Sequence, residues 1–368
     1  MSAVQSLKQT PLYDRHLTLG ARMGAFVGFD MPLWYEGIKA EHLTVRERVG
    51  LFDLTHMGEI FITGPQAFDL VQWLTSNDVR RIGDGQCQYA LFATPEGGVV
   101  DDLFVYQINP ESYMLVVNAS NVEKDYAWIV KHNNFDCEVA NRSDELSMIA
   151  VQGPLTDDVL EGIGLKTIRS QAQFTFRRTK LQGNKLTICG TGYTGEHGFE
   201  LICENAAAPW LWDRLMAAGK PFGVAPIGLG ARDTLRLEMA YSLYGSELSD
   251  SISALEANLE WALRWGPDFL GKEFLVKQKA EGVKRIIAGF IVEQNAGAPR
   301  HSAPVFSERG KEIGQVTSGS FSPSLNKGIA LALLQKEFSE IGTPVLVDIR
   351  GKRVAAKICE TPFYHKAK

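Results

Sequence analysis

"KLTICGTGYTGEHGFELI", residues Lys185–Ile202, decides how the middle of this chain folds. Gly190, Gly192 and Gly195 give the spacing G-x-G-x-x-G. In a dinucleotide-binding fold that spacing lies between a strand and a helix, so that the helix N-terminus faces the phosphates. The first half fits, because "KLTIC" is short, apolar and β-branched and reads as a strand. The second half does not. "EHGFELI" brings a further glycine, Gly198, and then apolar Phe199, Leu201 and Ile202, with no amphipathic run long enough for a helix. The stretch therefore reads as a glycine-bent hairpin that carries a carboxylate, Glu200, on its return strand. A nicotinamide or flavin site is the weaker alternative.

Outward from the hairpin, the composition is that of an ordinary globular protein. The chain has 368 residues, 45% hydrophobic and 22% charged, enough for more than one domain and a sizeable core. Net charge is −5 with no basic block, so no nucleic-acid partner is expected. The opening "MSAVQSLKQTPLYDRH" has no apolar core of a signal peptide and no arginine-rich character, and no apolar run approaches a membrane span. A cytoplasmic protein without membrane contact is the expectation. Cys87, Cys137, Cys189, Cys203 and Cys359 are odd in number and scattered, with no C-x-x-C, which points to reduced thiols rather than disulfides or zinc. Cys189 and Cys203 both fall on the hairpin, where facing one another is an arrangement open to them. No H-x-x-x-H occurs, and no metal is expected.

The first third alternates short strands and helices. "GEIFITG" (58–64), "CQYALFAT", "GGVVDDLFVYQI" and "SYMLVVNAS" (112–120) read as strands, with "PEGG" (95–98) as a turn. "PQAFDLVQWLTSND" (65–78) and "NVEKDYAWIVKHN" (121–133) read as helices, the second with Asn121 as its N-cap. The middle third continues the alternation, with strand "LSMIAVQGP", helix "LTDDVLEGIG", the hairpin, and helices in 206–220 and 226–245. "ISALEANLEWALRW" (252–265) has mixed period and takes no assignment. "KEFLVKQKAEGV" (272–283) reads as a helical connector. From Lys284, "KRIIAGFIVEQ" and the closely spaced runs after it signal a small β barrel or sandwich.

Two motifs put polar groups where apolar ones are the rule. Asp101 and Asp102 interrupt the strand "GGVVDDLFVY". Neighbours on a strand face opposite ways, so they form no acid–base dyad, and one of them faces a buried side where a lone carboxylate costs several kcal/mol. That aspartate is either paired or a turn cap, or else a desolvated base or an acceptor for a ligand N–H. Arg232 and Arg236, four apart in "LGARDTLRLE", share a helix face. They form a surface ion-pair ladder with Asp233 and Glu238, or a planar fork for a carboxylate or polar ring. Trp34, Tyr89, Tyr193, Tyr241, Trp261 and Trp265 lie near these motifs in sequence, as core residues or as walls for a flat heterocycle. His56 in "LTHMGEIF" has no partner at triad spacing.

Eight stretches in order settle the family. "TPLYDRHLTLGARM", "GLFDLTHMGEIFITGP", "GGVVDDLFVY", "LVVNASNVEKDYAW", "GTGYTGEHGFE", "PIGLGARDTLRLE", "LYGSEL" and "TSGSFSPSLNKGIALALL" resemble the aminomethyltransferase family, the T-protein of the glycine cleavage system. The likeness runs from about Thr10 to Phe363. It implies an α+β fold with three domains in a cloverleaf around a central folate pocket, the last a small β barrel. The divisions expected are 1–140, interleaved with 141–283, and then 284–368. It implies transfer of a one-carbon unit from the aminomethyl-lipoyl arm of H-protein to tetrahydrofolate, with release of ammonia.

Residue by residue, Asp102 resembles the catalytic acid beside the reacting folate nitrogens. Glu200 resembles the acid at the pterin edge, and Arg232 the arginine on the pterin and substrate side. Met57, Tyr89, Asn118, Tyr193 and Trp261 resemble pocket-lining positions. Tetrahydrofolate as co-substrate, the lipoyl group and lipoylated H-protein as partner follow from the same resemblance. Three positions depart from it: Ser246 stands where many relatives have histidine, and Asn258 and Glu260 where they often have glycine or small residues. Other readings on this scaffold are a folate-dependent demethylase or a folate-binding protein without catalysis.

Overall fold

The computed structural model describes residues 6–292 and 297–366. Glu293 and Gln294, the end of "KRIIAGFIVEQ", lie outside the described residues. Three large β units, beside the two-stranded hairpin of Arg22–Phe26 and Phe29–Trp34, make up the architecture. A five-stranded antiparallel sheet runs in the order Gln86–Ala93, Val99–Asn109, Ser112–Val117, Gly58–Thr63, Glu138–Asn141. A six-stranded sheet runs Phe176–Leu181, Asn184–Cys189, Gly198–Glu204, Leu146–Gln152, Gly50–Asp53, Ala225–Pro226. Its one parallel pair joins Ala225–Pro226 to Gly50–Asp53, so the first third of the chain contributes to the second sheet.

The third unit is a closed barrel of Arg285–Val292, Lys327–Gln335, Glu312–Ser322, Pro304–Ser307, Pro344–Ile349 and Lys352–Cys359. Closure removes the free edges that such short strands would otherwise expose.

Each sheet buries two faces. The outer face of the first packs Ile60, Ile62, Val105 and Leu115 against helices Ala67–Leu74 and Val122–His132. The outer face of the second packs Val151, Ile188, Phe199 and Leu201 against helices Thr156–Gly162 and Ala208–Gly219. The inner faces meet at Phe52, Tyr106, Met114, Cys189 and Ile202. In the barrel, Ala288, Phe290, Ala330, Ala332 and Leu334 point inward, while Ile287, Leu331 and Leu333 point outward onto the other two units. That double duty is why "IALALL" (329–334) is apolar at every position rather than at every second one.

Two local readings differ from the expectations, and the stretch left without an assignment takes a form. Asn121 does precede helix Val122–His132, but its side chain makes no cap; it donates to Asp101 instead. The helix from Gly228 ends at Glu238 rather than continuing through residue 245, because Ala240 takes φ 55° and Tyr241 N–H returns to the Arg236 carbonyl at 3.0 Å. Residues 252–265 hold only the short 3-10 turn Glu260–Ala262.

Candidate functional site

The glycine-rich stretch is a hairpin. Strands Asn184–Cys189 and Gly198–Glu204 pair antiparallel, and no helix follows Gly195, which removes the dinucleotide reading. Two of the glycines have a clear cause. Gly195 sits at φ +79°, and a Cβ there would fall 2.4 Å from Met239 Cγ. A Cβ on Gly192 would meet Gln152 Oε1 at 2.1 Å. Cys189 pairs with Glu200 and Cys203 with Leu186, on opposite faces, so the two thiols do not face each other, and both are free.

Register points Glu200 inward. Only 9% of it is exposed, and Thr191 Oγ1 donates to Oε2 at 2.5 Å. The Tyr106 hydroxyl stands 3.1 Å behind Thr191 Oγ1. Burial pushes the Glu200 carboxyl up, while Thr191 and the charge of Arg232 hold it back. Arg232 lies over the Tyr193 ring, 4.7 Å from its centroid, and makes no hydrogen bond or ion pair among the described residues. Arg236 does something else. Only 3% of it is exposed, and it binds Asp233 at 2.7 Å, Glu247 at 3.1 Å and Ser318 Oγ at 2.8 Å. Glu238 belongs to Arg46 and His42. The surface ladder is therefore replaced by one buried structural arginine and one unpaired arginine.

The aspartates separate as strand geometry requires. Asp101 is fully buried toward helix Val122–His132 and accepts from Asn118 N, Asn118 Nδ2 and Asn121 Nδ2 at 3.1, 2.9 and 2.5 Å. Asp102 faces a cavity. It accepts from the Tyr89 hydroxyl at 3.0 Å and from Asn118 Nδ2 at 2.8 Å. Burial, and then the neighbouring charge of Asp101, raise its pKa to about 7, against the pull of those two donors.

That cavity has a volume of about 450 Å³ and opens where all three β units meet. Asp102, Tyr89 and Phe104 come from the first sheet, Gly192 and Tyr193 from the hairpin, Ile287 and Leu331 from the barrel. Trp261, 57% exposed, stacks on Tyr89 with centroids 5.1 Å apart, and Tyr241 on Tyr193 at 5.8 Å. The volume suits a small organic ligand, and flat walls with few polar groups suit a heterocycle. A carboxylate on the wall and an unpaired guanidinium behind it are groups that a polar-edged ring would satisfy.

Tyr89, Asp102, Tyr193 and Trp261 thus meet on one surface. Asn118 stands behind Asp102 and Arg232 behind Tyr193. Glu200 is not on the cavity wall but in the layer behind it, and Met57 packs in the core between the sheets. Trp34 and Trp265 are not on the wall: Trp34 is 39% exposed on hairpin Arg22–Trp34, and Trp265 packs elsewhere under Lys279. Asn258 does line the cavity, at φ +59°, and its Nδ2 donates to the Ile287 carbonyl at 2.6 Å. Glu260 pairs with Lys279 at 2.6 Å.

His56 was singled out without a role, and Thr191 and Asp125 escaped the sequence reading. His56 is buried edge-on to Phe26 with Nδ1 unpartnered, and burial and then Arg232 lower its pKa to about 4, so it is neutral. Thr191 gave no signal beyond lying in the glycine run. Asp125 gave one: it occupies the apolar stripe of its helix together with Ile129.

Comparison with known proteins agrees with this layout. Residues 12–266 match the GCVT N-terminal domain family, and residues 285–365 match the glycine cleavage T-protein C-terminal barrel domain family. An aminomethyltransferase from Flavobacterium psychrophilum is 44% identical over 361 residues, covering 98% of this chain and 100% of that protein. One from a Geobacillus strain is 45% identical over 365 residues, covering 98% and 100%. The crystal structure of glycine cleavage system aminomethyltransferase T from Bartonella henselae superposes with a TM-score of 0.91 at 32% identity, covering 98% of each chain.

Proposed function

The chain belongs to the glycine cleavage T-protein family, and from that premise we propose that its central cavity holds tetrahydrofolate against Asp102, with the pterin end reaching past the cavity wall to Glu200 behind it. The activity is that of a folate-dependent aminomethyltransferase. The finer assignment is that the one-carbon unit arrives on the lipoyl arm of H-protein and that ammonia leaves. Tetrahydrofolate supplies the accepting nitrogens.

The chain's own residues then divide the work. Glu200 offers two acceptor oxygens to the amino-pyrimidine edge, where a ring N–H and an exocyclic amine match them. Arg232, free of other partners and fixed over Tyr193, supplies planar donors to the same ligand. Tyr89, Tyr193 and Trp261 wall the ring and exclude water. Met57 and Asn118 support the pocket from behind, Asn118 by holding Asp102 in place. Asp102 holds or releases a proton at its Oδ atoms, and its negative charge favours positive charge developing at the transferred carbon.

The observation that carries this reading is a carboxyl on the wall of an aromatic cavity, held by Tyr89 and Asn118, where burial and the neighbouring Asp101 raise it to about 7. A group titrating near the working pH is suited to moving a proton. No helix among the described residues is long and apolar enough to cross a membrane, and a cytoplasmic location is part of the proposal. So are the divisions 1–140, 141–283 and 284–368. The test is turnover: with aminomethyl-loaded lipoyl H-protein and tetrahydrofolate, the chain should release ammonia and form methylenetetrahydrofolate. Turnover with methylated amines in place of H-protein would overturn the donor assignment.

A further inference from the structure

Beneath Asp102 lies an acid that the reading above leaves idle. Asp125, on helix Val122–His132, is fully buried. Among the described residues neither of its oxygens meets an N–H or a hydroxyl, and the group beside it is the carboxyl of Asp101, with which it shares a proton if one of the two is protonated. Asp101 already takes three bonds from Asn118 and Asn121. The nearby cation does not neutralise the pair, because Lys124 Nζ is turned to the Val100 carbonyl at 2.5 Å and the Tyr244 hydroxyl at 2.6 Å.

Two touching carboxyls in a dry site cannot both ionise. The donors around Asp101 decide which one keeps the charge. Asp125, with none, keeps the proton and donates it. We propose that Asp125 is a positioning residue for Asp102: its protonated carboxyl anchors Asp101 as a single fixed negative charge behind the reacting acid. The inference rests on the reading of Asp102 given above.

Asn118 transmits the arrangement, since its Nδ2 reaches Asp101 Oδ1 at 2.9 Å and Asp102 Oδ1 at 2.8 Å. The other titratable groups facing Asp102 are Tyr89 on the adjacent strand and Tyr193 on the hairpin. Those around Asp125 are Asp101, Asp102 and Lys124, with Tyr244 and its partner Asp250 closing the far side of the site. Burial and the Asp101 charge push Asp125 up to about 11, in keeping with a proton held throughout the neutral range.

The test compares pH profiles of kcat/KM for the full chain and two variants. Asp125→Asn replaces a neutral donor by a neutral donor and should leave the rising limb where it is. Asp125→Ala removes the donor, so buried Asp101 takes up a proton, the repulsion on Asp102 drops, and the limb moves to lower pH by about one unit. An unmoved limb in a folded Asp125→Ala protein, or an equal shift in Asp125→Asn, overturns the proposal.

Infrared spectra of the ligand-free protein at neutral pH provide a second arm that does not depend on Asp125→Ala folding. The difference between the parent protein and Asp125→Asn should show one lost protonated-carboxyl band; no lost band overturns the proposal. Asp102→Asn separates the two readings. If it keeps the limb at its original position, the role of Asp102 fails. If it abolishes the limb while Asp125→Ala leaves it unmoved, only the role of Asp125 fails.

Discussion

The Tyr89 hydroxyl donates to Asp102 Oδ2 at 3.0 Å, so the residue that stacks under Trp261 also stabilises the charged form of the acid on the cavity wall. Removing that donor disfavours the carboxylate. Asp102 is already raised to about 7, and Tyr89→Phe should raise it further. If the ionised acid is the working form, activity rises with pH through that pKa, and the rising limb of kcat/KM in Tyr89→Phe should lie about one pH unit higher. Activity that falls rather than rises with pH through that pKa would mean that the protonated acid is the working form, and a rising limb moved to lower pH would mean that Tyr89 does not stabilise the carboxylate.

Asp102→Asn keeps the shape of the side chain and removes its charge and its proton chemistry. Turnover should fall about a hundredfold to ten-thousandfold, the range for losing a positioned acid–base group. Tetrahydrofolate affinity, measured by calorimetry, should change far less, because Asp102 is assigned to the reacting carbon rather than to the amino-pyrimidine edge.

Glu200→Ala should behave in the opposite sense. A charged hydrogen-bond partner is worth about 1.5–3 kcal/mol, so folate affinity should drop by about ten- to a hundredfold. Thr191→Val, which removes the 2.5 Å bond to Glu200 together with the contact to the Tyr106 hydroxyl, should give a smaller loss in the same direction. Wild-type affinity in Glu200→Ala would take that residue out of the binding site.

Glu238 tests the scaffold rather than the site. It accepts from Arg46 Nη2 at 2.9 Å, from Ser322 Oγ at 2.5 Å and from Ser324 Oγ at 2.8 Å, and it lies 3.1 Å from His42 Nε2, so it ties the helix to the barrel. Glu238→Ala leaves Arg46 buried and short of a partner. Such a break costs about 3–5 kcal/mol, and the thermal midpoint should fall accordingly.

The strands were legible because short β-prone runs between turn residues are a local signal: "GEIFITG" carries it by alternation, and the barrel runs by their close spacing between glycine, serine and proline turns. The face on which a side chain ends up was legible only where it follows from parity alone, as at Asp101 and Asp102. The relation of Cys189 to Cys203 was not, since it depends on the register left by the eight-residue connection 190–197 between their strands. Residues 252–265 have no period to read: Leu255, Leu259 and Leu263 reach one core cluster along an irregular path. The aromatics were ambiguous for a different reason. Tyr89, Tyr193 and Trp261 look like core residues one at a time, and only their convergence on one cavity, from distant parts of the chain, makes them walls.

The central claim is that two acids, Glu200 and Asp102, grip opposite ends of one reduced pteridine. A crystal structure of the chain with bound tetrahydrofolate measures it directly. The expected result is a Glu200 oxygen within about 2.6–3.2 Å of the amino-pyrimidine edge and an Asp102 oxygen at similar range, directly or through one water, from the folate nitrogens that accept the carbon. A folate bound outside the cavity, or bound within it with both carboxylates turned away, would contradict the claim.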